Sequence, residues 1–151
     1  MPKTADPDSL GFVLADAARL MRAAVEQAIA EAGFGVTPGE ARTLIHISVL
    51  DLPRQAAIAE RMGVEPMTLS GYLDRLEAQG LVRREPDPND RRAKIVTLTA
   101  EGEALVAAIR SITRRLFGKV TAGLGPGGGD SLCAALIALR QALQEKVSKN
   151  G

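Results

Sequence analysis

Aromatic residues are scarce in this sequence, which has one tyrosine, three phenylalanines and no tryptophan among 151 residues. Because 46% of the residues are nevertheless hydrophobic, alanine, leucine and valine must supply most of the interior. Such an interior is typical of helices that pack closely against one another. The composition and length therefore favour one mainly helical domain, or a compact core with helical extensions.

Cysteine and long apolar runs are also rare. The single cysteine, Cys133, excludes an internal disulfide framework and fits a reducing cytoplasm. Its two open roles are small apolar packing and redox sensing. No run approaches the roughly 20 apolar residues of a membrane span, and the first residues, MPKTADPDSLGF, lack the pattern of a secretory signal. We therefore expect a cytoplasmic protein with no membrane partner.

The residue types of common catalytic and metal sites are too few for either kind of site. His46 is the only histidine, and with one cysteine it cannot form an ordinary zinc site unless carboxylates complete it. The glycine-rich segment 125–130 lacks the Lys-Ser/Thr pair of a phosphate-binding loop and is interpreted as a plain loop. We expect no enzyme, no catalytic residue, no metal and no cofactor.

Charge is nearly balanced over the whole chain but not locally. The net charge is +1, from 19 cations and 18 anions, which does not fit a protein that coats nucleic acid without specificity. Residues 83–94, however, hold five cations against three anions: Arg83, Arg84, Arg91, Arg92 and Lys94 against Glu85, Asp87 and Asp90. The distribution predicts focal contact with DNA phosphates.

The same segment has the pattern of a β-hairpin. Two alternating runs, Leu81 to Glu85 and Ala93 to Leu98, flank the polar stretch Pro86 to Arg92. This predicts two strands joined by a long polar tip. Thr99 or Thr97 is expected to begin the helix that follows.

Six helices are predicted from hydrophobic periodicity and capping residues. Their expected ranges are 9–32, 38–50, 55–62, 66–79, 99–120 and 131–147. Thr37 and Glu40 form a capping-box pattern at the start of the second helix, and Asp130 is expected to cap the sixth after a flexible glycine-rich break at 123–129. The apolar faces of the first and last helices pack either within one chain or, as we expect, across a homodimer.

The third and fourth helices form a helix–turn–helix pattern. Three residues, Gly63-Val64-Glu65, separate them. Leu69, Leu73 and Leu76 fall on one face of the fourth helix and are expected to face the core. The opposite face is left for solvent or a partner and carries Met67, Thr68, Ser70, Gly71, Asp74 and Arg75.

With these elements in order, residues 10–143 resemble a MarR-family winged-helix regulator. The most specific segments are LEAQGLVRR (76–84), DRR (90–92) and VTLTAEG (96–102). The resemblance implies a mainly α fold with a small β-hairpin wing. It assigns residues 37–98 to a winged helix-turn-helix DNA-binding region, and residues 1–36 and 99–151 to a helical dimerisation region. It implies a homodimeric, sequence-specific transcriptional regulator that binds a palindromic operator in double-stranded DNA. It also implies that this regulator is a repressor, which a small molecule releases from the operator.

The resemblance also implies which residues contact DNA. They are Arg54, Met67, Thr68, Ser70, Gly71, Arg75, Arg91, Arg92 and Lys94. Arg91 and Arg92 are alternatives for the side chain that enters the minor groove, since Asp90 could hold Arg92 in a structural role. Arg54 replaces the usual capping Thr or Ser, so a cap is lost and a cation that could reach phosphate is gained.

The resemblance further implies that a small anionic or aromatic effector binds between the dimerisation helices and the winged region. Phe12, Phe34, Arg42 and His46 are the residues expected to approach it; a packing role for His46 and a surface role for Arg42 are the alternative. Glu65 and Gly71 depart from the family pattern, because an anion and a missing side chain stand where contacts are usual. They leave open a second function, a winged-helix protein-interaction module that has lost DNA binding.

Overall fold

The computed structural model describes residues 6–149, which form six helices and one two-stranded antiparallel sheet. The elements are α1 (Leu10–Ala32), α2 (Pro38–Ser48), α3 (Gln55–Met62), α4 (Pro66–Ala78), β1 (Val82–Asp87), β2 (Asp90–Leu98), α5 (Ala100–Thr121), a short 3-10 turn (Ala122–Leu124) and α6 (Gly128–Ser148). The predicted fold class, mainly α with a hairpin inserted after the fourth helix, is confirmed. None of the helices described is both long enough and apolar enough to cross a membrane.

The predicted caps of α2 and α5 are both present. Thr37 accepts a hydrogen bond from the Glu40 N–H at 3.2 Å, and the Glu40 carboxylate accepts one from the Thr37 N–H at 3.0 Å. Thr99 accepts from the Gly102 N–H at 3.1 Å and donates to the Gly80 carbonyl at 2.6 Å. Thr99, and not Thr97, therefore precedes α5, and its second hydrogen bond ties the start of that helix to the end of α4.

The helix–turn–helix packs on one apolar core. Leu69, Leu73 and Leu76 of α4 are fully buried, as their spacing predicts. They join buried side chains of the other elements: Ile29, Ala41, Leu44, Ile47, Ile58, Ala59, Met62, Leu81, Val82, Val96, Val106 and Ile109. Because this core fixes one face of α4, the opposite face is left on the protein surface.

The hairpin differs from the prediction at its tip. The strands extend to Asp87 and from Asp90, so the turn consists of Pro88 and Asn89 alone, and the expected long polar tip is wrong. Pro86 pairs with Lys94, but the next residue, Asp87, pairs with Asp90. Residues 91–93 of β2 thus have no paired partner on β1 and form a bulge. Alternation alone could not reveal this, because a bulge interrupts the two-residue period.

The start of α6 also differs from the prediction. The helix begins at Gly128 after Gly127, and Asp130 lies inside its first turn. Asp130 is therefore not the cap, and the glycine-rich break is shorter than expected because Gly128 and Gly129 are helical. An acidic residue in a first helical turn still stabilises the helix through its dipole.

The chain divides into two compact units between Ile112 and Thr113, within α5. In the first unit, Ile29 is the one buried residue of α1, while Leu10, Phe12, Val13 and Leu20 are exposed. In the second unit, no residue of α6 is buried over its described length. Each unit thus presents apolar helical surface that the core of a single chain does not cover.

Gly102 is needed where α5 meets the turn between α4 and β1. A Cβ at this buried glycine would collide with the backbone carbonyl oxygen of Leu81. That carbonyl also accepts the Thr99 N–H at 3.1 Å, so the backbone cannot easily retreat. The close approach requires glycine at 102.

We predict that Gly102→Ala lowers the free energy of unfolding by about 1–3 kcal/mol, because the methyl group overpacks this contact. Gly118→Ala is the matched control in the same helix, since a Cβ there meets nothing within 4 Å. It should raise stability by about 0.5–1 kcal/mol through helix propensity. Urea unfolding followed by circular dichroism measures both, and equal stabilisation by the two variants would contradict the close contact.

Candidate nucleic-acid interface

The outward face of α4 carries the predicted base-contacting residues. Met67 is 87% exposed and Thr68 is exposed, while Ser70 and Gly71 are half-buried. The helix begins after Glu65 without a side-chain capping hydrogen bond. The N-terminal turn of α4 therefore offers an apolar thioether and two hydroxyls to a partner, and these can contact a thymine methyl, a base edge or a phosphate.

Arg75, a predicted DNA contact on the same helix, is held by protein groups. Its Nε donates to Oε1 of Glu40, whose side chain is only 2% exposed, while that of Arg75 is 55% exposed. The guanidinium also lies over the Tyr72 ring, 5.5 Å from the centroid. A buried carboxylate and an aromatic face together fix the direction of this cation.

Glu40 serves two elements at once. One carboxylate oxygen accepts the Thr37 N–H at the start of α2, and the other accepts the Arg75 Nε–H from α4. Thr43, one turn further along α2, is also buried and donates its hydroxyl to the Gly39 carbonyl at 2.8 Å. The cap of α2 is therefore physically linked to α4.

Arg84 attaches the wing to α4. Its guanidinium contacts Asp74 at 2.6 Å and Glu77 at 2.9 Å, and its backbone N–H donates to Glu77 at 3.1 Å. The hydrogen bond from Arg84 lowers the pKa of Glu77, and the one to Glu77 raises the pKa of Arg84. Arg84 therefore sets the position of the wing, although its charge suggested a contact with phosphate.

Arg54 attaches the wing to the start of α3. Its side chain forms an ion pair of 2.7 Å with Asp87, whose side chain is 1% exposed. Its backbone pairs with that of Ile95 of β2 in an isolated antiparallel β-bridge. The Val96 N–H donates to the Pro53 carbonyl at 2.9 Å on the same side. As expected, Arg54 precedes α3 without capping it. Its guanidinium is bound to Asp87, although 42% of the Arg54 side chain is exposed.

Besides Arg83, which is exposed on β1, Arg91 and Arg92 are cations of the wing left for an external partner. Both are exposed and lie in the bulge of β2. Within residues 6–149, neither side chain forms an ion pair. Asp90 accepts the backbone N–H of Arg92 at 3.0 Å, so it shapes the bulge and leaves the guanidinium free. Lys94 is exposed beyond the bulge.

A groove of about 760 Å³ separates α3 and α4 from the wing. Four predicted contacts line it: Arg54, Ser70, Arg92 and Lys94. Residues distant in sequence are thus gathered on one concave face. Met67, Thr68, Gly71, Arg75 and Arg91 are outside its lining.

The predicted effector residues lie on α1, α2 and the loop between them. Phe12 is 57% exposed on α1, while Phe34 is half-buried against the core. Arg42 and His46 are half-buried on α2, one turn apart. Burial is the main cause that lowers the pKa of His46, followed by the charges of Arg61 and Arg42. Arg61, at the end of α3, was not anticipated from the sequence.

The sequence did not reveal which carboxylates hold Arg75 and Arg54. Glu40 was recognised only as a cap, although it also binds Arg75, which is 35 residues away. Asp87 was counted only as a charge near the hairpin tip. Its proline neighbours and its position before a turn gave no sign that it would be buried against Arg54.

Comparison with known proteins relates this chain to transcriptional regulators. Residues 36–94 match the sequence model of the MarR family. The chain is 46% identical over 63 residues to transcriptional regulator HosA of Escherichia coli O111:H-, covering 34% of this chain and 47% of HosA. It is 40% identical over 73 residues to the HTH-type transcriptional repressor NicR of Pseudomonas putida, covering 46% of each chain. These matches span slightly less than half the length of either relative.

A solved structure extends the likeness to nearly the whole chain. The crystal structure of transcriptional regulator PA3341 is 32% identical, with a TM-score of 0.74 over 91% of this chain and 99% of that one. Together with the match of residues 36–94, this likeness shows that the chain belongs to the MarR family.

We predict that Arg75→Ala destabilises the protein by roughly 1–3 kcal/mol, because the buried Glu40 carboxylate loses its cation. Glu40→Gln added to that variant should restore part of the loss, because no buried charge then remains. Arg19→Ala is the control, since Arg19 and Asp16 are 67% and 70% exposed and their pair should contribute less than about 1 kcal/mol. Urea unfolding of the unmodified protein, Arg75→Ala, Glu40→Gln, the double variant and Arg19→Ala gives the comparison, and additive losses from Arg75→Ala and Glu40→Gln would contradict it.

Proposed function

We propose that this protein is a homodimeric, sequence-specific DNA-binding transcriptional regulator, and that it acts as a repressor released by a small molecule. The observation that carries the proposal is the pair of exposed cations, Arg91 and Arg92, beside the exposed face of α4. Arg84 and Arg54 hold the wing in place by ion pairs, so Arg91 and Arg92 remain for phosphates or a minor groove.

The proposed division of labour follows the chemistry of each surface. Cations of the wing supply affinity that depends little on sequence, because they neutralise phosphates. Met67, Thr68 and Ser70 supply discrimination, because their groups can touch base edges in a major groove. Residues 37–98 would form the DNA-binding region, with residues 1–36 and 99–151 as the dimerisation region.

A homodimer is supported by the apolar surface on α1 and α6. On α6, Leu132, Leu136, Ile137 and Leu143 are between 41% and 52% exposed. Contiguous apolar surface of this kind is typical of protein interfaces. Two copies of α4 could then read half-sites about 34 Å apart on one side of the DNA.

The role of repressor is supported by the likeness to NicR, which is named as a transcriptional repressor. A small anionic or aromatic effector is proposed to bind near Phe12, Phe34, Arg42 and His46. An effector that favours the non-binding state by about 1–3 kcal/mol would suffice to release DNA.

The proposal is tested by binding to the intergenic DNA next to the encoding gene, with a scrambled fragment as competitor. We expect footprints over a palindrome and an affinity that falls steeply as salt rises. Equal, weak binding to both fragments at all salt concentrations would favour the protein-interaction module, for which Glu65 at the start of α4 is the motivating residue.

We predict that Arg91→Ala with Arg92→Ala weakens binding to the palindrome by roughly tenfold or more, about 1.4 kcal/mol, and reduces its salt dependence. Lys146→Ala with Lys149→Ala is the control, because it removes the same charge from the far end of α6. Fluorescence anisotropy at several salt concentrations measures both. Equal weakening by the two variants would mean that net charge, and not the wing, governs binding.

We predict that the protein sediments at about twice its monomer mass of 15.9 kDa at micromolar concentration. Leu136→Glu should shift it toward monomer, because a charge would be buried in the proposed interface. Leu52→Glu, at a 50% exposed position between α2 and α3, is the matched control and should leave the dimer intact. Monomeric behaviour of the unmodified protein would refute the two-fold arrangement.

A further inference from the structure

Asp87 is a buried carboxylate at the tip of the wing, and each of its oxygens has a separate task. Oδ1 accepts the Asn89 N–H at 2.9 Å, which closes the two-residue turn. Oδ2 has no hydrogen-bond partner within residues 6–149, and its charge is offset by the Arg54 guanidinium at 2.7 Å. Because the Asp87 side chain is 1% exposed, loss of this cation would leave a buried charge uncompensated. The ion pair thus ties the turn of the wing to the start of α3.

Arg54 holds the wing with its backbone as well as its side chain. It makes no side-chain hydrogen bond to the first turn of α3. Its backbone pairs with that of Ile95, and the Val96 N–H donates to the carbonyl of the preceding residue, Pro53, at 2.9 Å. The segment 53–54 therefore contacts the wing at two places, which are the turn, through Asp87, and the middle of β2.

These two contacts lie on either side of the bulge at 91–93. On the side of the turn, Asp87 pairs with Asp90. On the other side, Ile95 pairs with Arg54. Both arginines of the bulge are exposed, so their side chains do not anchor it in the core. The position of this cationic segment therefore depends on the contacts at its two ends.

Arg54 differs from the arginines of the bulge in having an internal partner. It lines the groove with Arg92 and Lys94, and 42% of its side chain is exposed, so contact with a phosphate is the alternative role. A cation adds affinity for DNA by neutralising phosphates, whereas the charge of Arg54 is already offset by Asp87. The ion pair therefore favours a role inside the protein.

We propose that Arg54 and Asp87 form a latch that holds the wing in the orientation that binds DNA, and that Arg54 is a positioning residue instead of a phosphate contact. The inference rests on the proposed function as a DNA-binding regulator. A wing held in place before binding loses less conformational freedom when DNA binds, so the latch strengthens binding. An acidic residue of the wing thereby raises the affinity for a polyanion, which is the opposite of its direct electrostatic effect.

Asp87→Asn tests the proposal, because the two roles of Arg54 predict opposite effects. Asn keeps the shape of the side chain and an acceptor for the turn, but it removes the ion pair. Loss of the latch should weaken DNA binding severalfold, because the wing must then be ordered on binding. If Arg54 instead contacts phosphate, the same substitution frees its cation and strengthens binding. Fluorescence anisotropy with the intergenic DNA next to the encoding gene measures the change, and unchanged or tighter binding would overturn the proposal.

Glu85→Gln is the matched control. Glu85 is exposed on the same strand and forms no ion pair within residues 6–149, so this variant loses the same charge without opening the latch. It should bind the intergenic DNA at least as tightly as the unmodified protein. Equal weakening by Glu85→Gln and Asp87→Asn would mean that the buried ion pair has no special role.

Hydrogen exchange tests the latch in the full chain without DNA. The reporter is the Val96 N–H, whose acceptor lies next to the latch, and the reference is the Ala41 N–H, which is hydrogen-bonded at the start of α2. Relative to Ala41, exchange at Val96 should be faster in Asp87→Asn and unchanged in Glu85→Gln, because only the former releases the wing. Equal exchange in the two variants would contradict the latch.

Two variants of Arg54 test the other half of the latch. Arg54→Lys keeps a cation that can pair with Asp87, so it should exchange more slowly at Val96 than Arg54→Gln. Arg54→Gln added to Asp87→Asn should accelerate exchange no further, because the latch is already open, and additive effects would mean that the two residues act separately. If Arg54→Gln alone does not fold because Asp87 is left uncompensated, the double variant, which lacks both charges, still gives this comparison with Asp87→Asn.

The latch and the DNA function fail separately. If the unmodified protein does not bind the intergenic DNA, the proposed regulator is refuted, and exchange at Val96 still decides whether Asp87 holds the wing. If the DNA is bound and Asp87→Asn changes neither affinity nor exchange, the regulator stands and the latch is refuted.

Discussion

The arrangement of the proposed DNA-binding surface depends on one buried carboxylate. Glu40 closes the capping box of α2 with one oxygen and holds Arg75 of α4 with the other. Because the side chain is almost fully buried, both partners are needed to keep its charge in place. The start of α2 and the last turn of α4 are thereby fixed to each other, and the apolar contacts of Leu69 and Leu73 complete the attachment.

Ion pairs also hold the wing. Arg84 joins it to α4 and Arg54 joins it to the start of α3, each through carboxylates of the protein. These pairs divide the cations of the region into two groups. The cations bound internally set the geometry of the wing, while Arg83, Arg91, Arg92 and Lys94 remain exposed. A nearly neutral chain can therefore still present a local positive surface, because its anions are placed beside the structural cations.

The sequence by itself determined the local elements. Helical periodicity and the capping residues located α1 to α5, the Thr37 capping box and the buried face of α4, because these depend on neighbours within about four residues. Only the tertiary structure decided which cations are free. The pairs Glu40–Arg75 and Arg54–Asp87 join residues more than 30 positions apart, and the bulge that holds Arg91 and Arg92 follows from pairing between strands. Spacing along a chain carries no record of such contacts, so neither the two-residue turn of the hairpin nor the Glu40–Arg75 pair could be predicted from it.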